Sequence, residues 1–209
     1  MKLLTRPYQQ TARAERTTAN GHRIVDAAVA LLEITPRVRD VTLDAVAERA
    51  GVTVRTILRR FGSRDGLLDA AFKQIALSLR ATRPLPQPGN VELAAESVAA
   101  QYERFGDFVL KMLEQEHELP VLGELVAFGR NEHRAWLEQV FAPQLASLDI
   151  RERKQRVLEL YAATDVYLWK LFRRDFGLTR RHTAETFRNL ITGVLTNHRP
   201  RRSPSGGPR

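Results

Sequence analysis

The 209-residue chain is predicted to be all-α, with an amino-terminal three-helix helix-turn-helix module joined through a fourth helix to a larger helical-bundle body. Three observations predict this. Apolar residues recur at helical spacing almost throughout, and no run alternates with period two. A glycine, Gly51, parts two short helical patterns near the amino terminus. A segment with prolines at 84, 86 and 88 ends the fourth pattern, because proline lacks the backbone donor and clashes with the preceding turn.

Taken in order, Ile24, Ala27, Ala28, Leu31 and Leu32 form the first apolar stripe, on a helix expected to begin near Thr18 or Asn20 and to be closed by Pro36. Thr42 is placed to cap a second helix from Leu43 to Ala50, since its hydroxyl can accept from an otherwise unpaired amide. Thr53 can cap a third helix through Phe61. Ser63 can cap a fourth, with Leu67, Leu68, Ala71, Phe72, Ile75 and Leu79 on its buried face. Beyond the prolines, helices are expected at about 90–105, 106–118, 120–146, 150–176 and 180–197. The fourth of these opens with Asp149 and Glu152 at capping-box spacing. The expected division is a basic flexible arm (1–17), a helix-turn-helix module (18–66), a helical body (67–198) and a disordered tail (199–209).

Composition removes several function classes. No cysteine is present, which excludes disulfides, thiolate metal sites and cysteine nucleophiles. No stretch has the apolar length of a membrane span, and the first residues lack the apolar run of a signal peptide, so a soluble cytoplasmic protein without membrane partners is expected. The net charge of +9 is unevenly spread: +7 over residues 1–83, −6 over 84–148 and +8 over 149–209. A basic first third suits a module held against phosphates, and it also suits a solvated charged surface. The sequence has no HExxH, no GxxxxGK[ST] and no GxSxG, so no catalytic residue, cofactor or metal is assigned.

The segment TLDAVAERAGVTVRTILRRF carries the functional reading. Ala47 and Ala50 let two helices cross closely, and Gly51 can adopt the left-handed conformation of the turn. Val46, Val52, Ile57 and Phe61 are expected to bury between the helices, leaving Thr53, Arg55, Thr56, Arg59 and Arg60 toward solvent. Such a helix fits the major groove, where an arginine fork matches the O6 and N7 acceptors of guanine. The rival readings are a basic helical protein that binds nucleic acid without specificity and an enzyme on a helical scaffold.

Thr42, Val46, Ala47, Ala50-Gly51-Val52-Thr53, Thr56-Ile57, Phe61, Ser63-Arg64-Asp65 and Leu67-Leu68 together resemble the TetR family of one-component regulators, over about residues 18–72. The resemblance implies a homodimer on a palindromic DNA operator, usually a repressor, whose affinity falls when a small-molecule effector occupies the body. The DNA-contact candidates are Thr42, Thr53, Val54, Arg55, Thr56, Leu58, Arg59, Arg60 and Arg64. Leu58 departs from the family, which very often has a phosphate-contacting tyrosine there. Leu58 either packs inward or touches a thymine methyl, and an adjacent arginine takes over the backbone contact. Arg64 stands where the family commonly has a lysine; it meets phosphate or is a surface arginine. Arg6, Arg13 and Arg16 of the arm either enter the minor groove or remain solvated.

The carboxy-terminal helices occupy the position of the family's dimer interface, with Val157, Leu160, Tyr161, Thr164, Leu168, Phe187, Leu190, Ile191 and Val194 as candidates; the alternative is that these faces are the chain's own core. The effector candidates are Tyr102, Phe128, Trp136, Tyr161, Asp165 and Trp169, with Phe105 a further aromatic at helical spacing, where core is the commoner role. Asp165 would meet a cationic ligand or pair with an arginine. His117 and His133 lie among Glu114, Glu116, Glu118 and Glu132, but their spacing matches no metal motif and an acidic solvated face accounts for them.

Overall fold

The structure, a computed structural model, describes residues 6–83 and 85–197, with side chains from residue 18 onward. The tail 199–209 and the side chains of Arg6, Arg13 and Arg16 lie outside the described residues. Every regular element among the described residues is helical. The chain forms two compact units, one from residues 1–82 and 107–129 and the other from 83–106 and 130–209.

The first unit begins with α1 (Arg6–Ile34), a helix that starts twelve residues earlier than Thr18. The stretch QQTARAER has no breaker and is rich in good helix formers, so the backbone of the expected arm continues the helix. After Pro36 a 3-10 turn (Val38–Asp40) leads into α2 (Leu43–Ala50), α3 (Val54–Phe61) and α4 (Arg64–Thr82). Thr42 Oγ1 accepts the amide of Ala45 and Thr53 Oγ1 that of Thr56, both at 3.2 Å, and Ser63 Oγ accepts that of Gly66 at 3.0 Å. Gly51 stands at φ +64°, the left-handed turn that any side chain would strain. Ile24, Ala28, Leu32, Val46, Ile57, Leu67, Leu68 and Ala71 form the core between these helices. Each large aliphatic side chain among them stabilises by roughly 1.5–3 kcal/mol.

This core also takes Met112, Leu122 and Val126, so the amino-terminal unit includes chain that the sequence reading placed in the body. Met112 lies on α5 (Val91–Glu114), and the other two lie on α6 (Pro120–Val140). Where two helices were expected to meet at 105 and 106, α5 is continuous. Gly106 stands within this helix, and the ring of Trp169 lies in the place a Cβ would take.

The second unit contains the first part of α5, the remainder of α6, α7 (Ala142–Leu145), α8 (Ile150–Ala163), α9 (Val166–Lys170), a π-helical turn (Leu171–Asp175) and α10 (Arg180–Thr196). Ala95, Val98, Leu137, Phe141, Leu160, Trp169, Phe187 and Ile191 are buried in it. The capping box of Asp149 and Glu152 opens α8 as expected. The expected single helix 150–176 is interrupted at Thr164 and Asp165: Thr164 Oγ1 bonds back to the carbonyl of Leu160 at 2.8 Å, and the Asp165 carboxylate accepts the amide of Tyr167 at 2.9 Å, starting a new helix.

Candidate nucleic-acid interface

The α3 helix is short, and both of its ends are fixed. Thr53 caps it, Gly62 ends it at φ +77°, and Ile57, wholly buried, roots it in the core. That leaves one side of the helix outward. Thr53, Arg55, Leu58, Arg59 and Arg60 are exposed, while Val54, Thr56 and Phe61 are half-buried. Thr53 and Thr56 also share a hydroxyl–hydroxyl hydrogen bond of 3.0 Å, which orients both on the first turn. Thr42, at the start of α2, is exposed as well.

Leu58 is 41% exposed, so the inward-packing alternative does not hold. Arg60 is turned back toward α1, its guanidinium lying over Gly21 and 5.9 Å from the Phe61 ring centre. Arg64 is engaged in the fold: Nε donates to the Val41 carbonyl at 2.9 Å and Nη2 to the Val38 carbonyl at 2.7 Å, with Asp65 3.7 Å from Nη1. It ties the start of α4 to the loop that precedes α2. Arg55 and Arg59 are thereby the two α3 arginines with exposed side chains to which no fold contact of this kind is tied.

Two residues that the sequence reading did not single out, Lys111 of α5 and Gln115 just past its end, hold the end of α1 and the loop before α2. Lys111 Nζ donates to the carbonyls of Leu32, Glu33 and Thr35 at the end of α1, and burial lowers its pKa. Gln115 Oε1 accepts the Val38 amide at 2.9 Å while its Nε2 donates to the Pro36 carbonyl at 3.1 Å. Spacing along the helix gives no sign of such distant backbone partners.

The effector candidates fall into two groups. Phe128 belongs to the first unit and is exposed. The other five gather in the second unit around two residues not proposed as effector contacts, Arg83 and His133. The Arg83 guanidinium lies over the Trp136 ring, 3.6 Å from its centre, and donates from Nη1 to His133 Nδ1 at 2.8 Å. His133 Nε2 meets Thr164 Oγ1 at 2.9 Å, and Tyr161 packs edge-on against the imidazole at 4.8 Å. Tyr102 donates its hydroxyl to the Thr164 carbonyl at 3.0 Å and contacts Trp169, whose indole N–H donates to Glu103 at 3.0 Å.

Electrostatics follow burial here. Desolvation lowers Arg83 to about 10, pushes the Tyr102 phenol up and holds His133 well below its usual range, with the Arg83 charge adding to the effect on His133. Asp165 is neither a bare charge nor simply an arginine's partner: its carboxylate caps α9, and burial raises its pKa. His133 has both nitrogens engaged internally, whereas His117 is exposed beside Glu116.

Several dimer candidates prove to be the chain's own core. Val157, Leu160, Thr164, Phe187 and Ile191 are buried within the single chain. Their apolar stripes face each other through α8 and α10. Tyr161, Leu168 and Val194 are half-buried, and Leu190 is exposed. Leu158, one residue along from Val157, is 58% exposed and was not singled out.

A capped recognition helix rooted by one buried isoleucine, preceded by a left-handed glycine turn, defines a helix-turn-helix DNA-binding module. Residues 24–71 match the family described as bacterial regulatory proteins, tetR family. No curated protein sequence matches the chain. Among solved structures, it is similar to a transcriptional regulator from Rhodococcus sp. Rha1, with 17% identity, TM-score 0.64 and coverage of 84% of this chain and 95% of that one. A Pseudomonas aeruginosa PAO1 protein described as a transcriptional regulator gives 17% identity and 0.64 over 85% and 90%. A further Rhodococcus sp. protein assigned to the TetR-family regulators gives 17% and 0.60 over 85% and 100%. The match places the amino-terminal domain of the tetR-family regulatory proteins at residues 24–71, and the likeness to the solved structures shows a shared all-helical fold. No helix among the described residues is long and apolar enough to cross a membrane.

Proposed function

We propose that this regulator acts in the cytoplasm as a homodimeric repressor on a palindromic operator and leaves DNA when a small-molecule effector occupies the second unit. The observation that carries the DNA reading is the outward face of α3, where Arg55, Leu58 and Arg59 stand exposed on a helix fixed at both ends. Arg55 and Arg59 read base edges, Leu58 meets a thymine methyl, and Thr42, Thr53, Val54 and Thr56 lie along the same approach to contact the groove or its phosphates. Arg60 and Arg64 serve the module's shape first and the phosphate backbone second.

Dimerisation is assigned to the outward sides of α8 and α10, where Leu158 and Leu190 are apolar and exposed. A two-fold dimer places two recognition helices about one DNA turn apart, roughly 34–36 Å. The test is a protection footprint on DNA upstream of the protein's own gene, with competitor DNA and a salt series. A protected site with two-fold symmetry that survives competition is expected; equal binding to operator and random DNA would leave only the non-specific reading. Gel filtration giving a monomer at micromolar concentration would remove the dimer.

A further inference from the structure

We propose that the effector is an organic acid with an apolar body, and that Arg83 receives its carboxylate in the second unit. This rests on the effector-responsive reading above and names the chemistry of that site. Arg83 Nε and Nη2 are buried without a hydrogen-bond partner, as is the indole Nε1 of Trp136, the ring that the guanidinium covers. All three are donors, and neither arginine nor tryptophan can accept. What is missing is therefore an acceptor, and one carboxylate offers two oxygens with lone pairs for several donors.

Charge points the same way. A buried guanidinium normally faces an acid, because an uncompensated charge in a low-dielectric interior is costly. Arg83 has no ion pair with any described residue, and the single electrostatic influence that favours its charge is the Tyr102 phenol. His133 takes one N–H through Nδ1 but is held neutral, so it orients the fork without neutralising it. The carboxylates that border the Tyr102–Trp169 pair are engaged elsewhere: Glu103 binds Arg173 and Trp169, and Asp165 caps α9. The surroundings of the fork are rings, namely Trp136 on its face and Tyr161 against His133, which suits a ligand whose remainder is apolar or aromatic.

Position makes the site suited to signalling. Arg83 directly follows Thr82, the last residue of α4, so an acid that fixes the guanidinium also fixes the chain at the end of the helix leading from the DNA-binding module.

The test uses the full-length protein and matched probe pairs: benzoate, phenylacetate and octanoate against benzamide, phenylacetamide and octanamide, with potassium chloride at equal ionic strength as control. Thermal stability and tryptophan fluorescence report binding. At least one acid is expected to stabilise the protein and perturb the fluorescence where its amide does not. Arg83→Gln should weaken that acid by at least about tenfold, while Arg83→Lys keeps part of the affinity. Equal effects of acid and amide, an effect reproduced by chloride, an unchanged affinity in folded Arg83→Gln, or no response to any acid would each overturn the proposal. Operator binding measured in parallel separates the two readings. Release of DNA by a neutral or cationic molecule keeps the effector reading and overturns the acid, whereas an acid that binds at Arg83 without changing operator affinity supports the site and removes its regulatory role.

Discussion

Gln115 accepts the backbone amide of Val38 across 77 residues of sequence, and the same side chain donates to the carbonyl of Pro36. The side chain is almost fully buried, so both backbone groups depend on it for a partner. Gln115→Leu keeps the volume and leaves the amide and the carbonyl unpaired, which should cost about 1–3 kcal/mol in urea denaturation. Operator affinity at a temperature where the variant is folded should fall as well, since Val38 begins the turn that leads into α2. A variant as stable as the parent would show that water replaces Gln115 at no cost.

Arg59 and Arg64, five residues apart, should separate into two behaviours. Arg64 places two donors on the carbonyls of Val41 and Val38, so Arg64→Ala should lower stability by about 1–2 kcal/mol and weaken binding to all DNA alike. Arg59 is exposed. Arg59→Ala, and likewise Arg55→Ala, should leave the melting temperature unchanged and relax base preference by roughly 1–3 kcal/mol where the arginine meets guanine. Competition with single-base operator variants is the measurement, and equal losses on every variant would contradict base reading by that residue.

The contrast between these arginines also marks what the sequence could carry. Caps and turns are local, so Thr42, Gly51, Thr53 and Asp149 disclosed their roles, and the recognition helix was legible almost residue by residue. Arg64 and Arg60 were grouped with the DNA contacts because a basic residue beside a recognition helix looks the same whether it faces phosphate or a carbonyl. The apolar stripes of α8 and α10 were visible, but periodicity does not say whether a stripe faces a partner chain or another helix of the same chain. Val157 and Leu158 differ by one position, yet the first is buried and the second exposed. The polar set around Arg83 was least legible, since its members are spread from residue 83 to 164 and Arg83 reads as the start of a proline loop. The rings that surround it were found by their spacing alone.

Gly106 offers a case in which helix propensity and packing oppose each other. Alanine in a helix interior is favoured over glycine by about 1 kcal/mol. At Gly106, however, the new methyl would enter the space held by the Trp169 ring, which is itself fully buried and bonded to Glu103. Overpacking of this kind typically costs 1–3 kcal/mol, so Gly106→Ala should be net destabilising by up to about 2 kcal/mol. Gly129, on α6 with open space where a Cβ would stand, is the control. Gly129→Ala should stabilise slightly, and both shifts can be read from thermal melts.

His133 should make the protein's stability depend on pH in a defined window. Its imidazole is buried, accepts from Arg83 and is held well below the ordinary histidine value by desolvation first and the neighbouring guanidinium second. In the unfolded chain the same ring takes a proton near pH 6.5. Between that value and the lower folded one, the unfolded state binds the extra proton, so stability is present above about pH 6.5 and is lost as pH falls toward the folded value. The slope contributed by one such group is at most about 1.4 kcal/mol per pH unit. Glu103, lowered by its bonds to Arg173, follows the same sign but acts only below the ordinary carboxylate range, near pH 4.5. Asp165, raised by burial, has the opposite sign. Urea midpoints from pH 7 to 5 should therefore fall in the parent, and His133→Gln, whatever its absolute stability, should fall less steeply by about the share of one proton. Parallel slopes for the two proteins would mean that His133 takes up its proton as readily in the fold as in the unfolded chain, and that Arg83 does not donate to it.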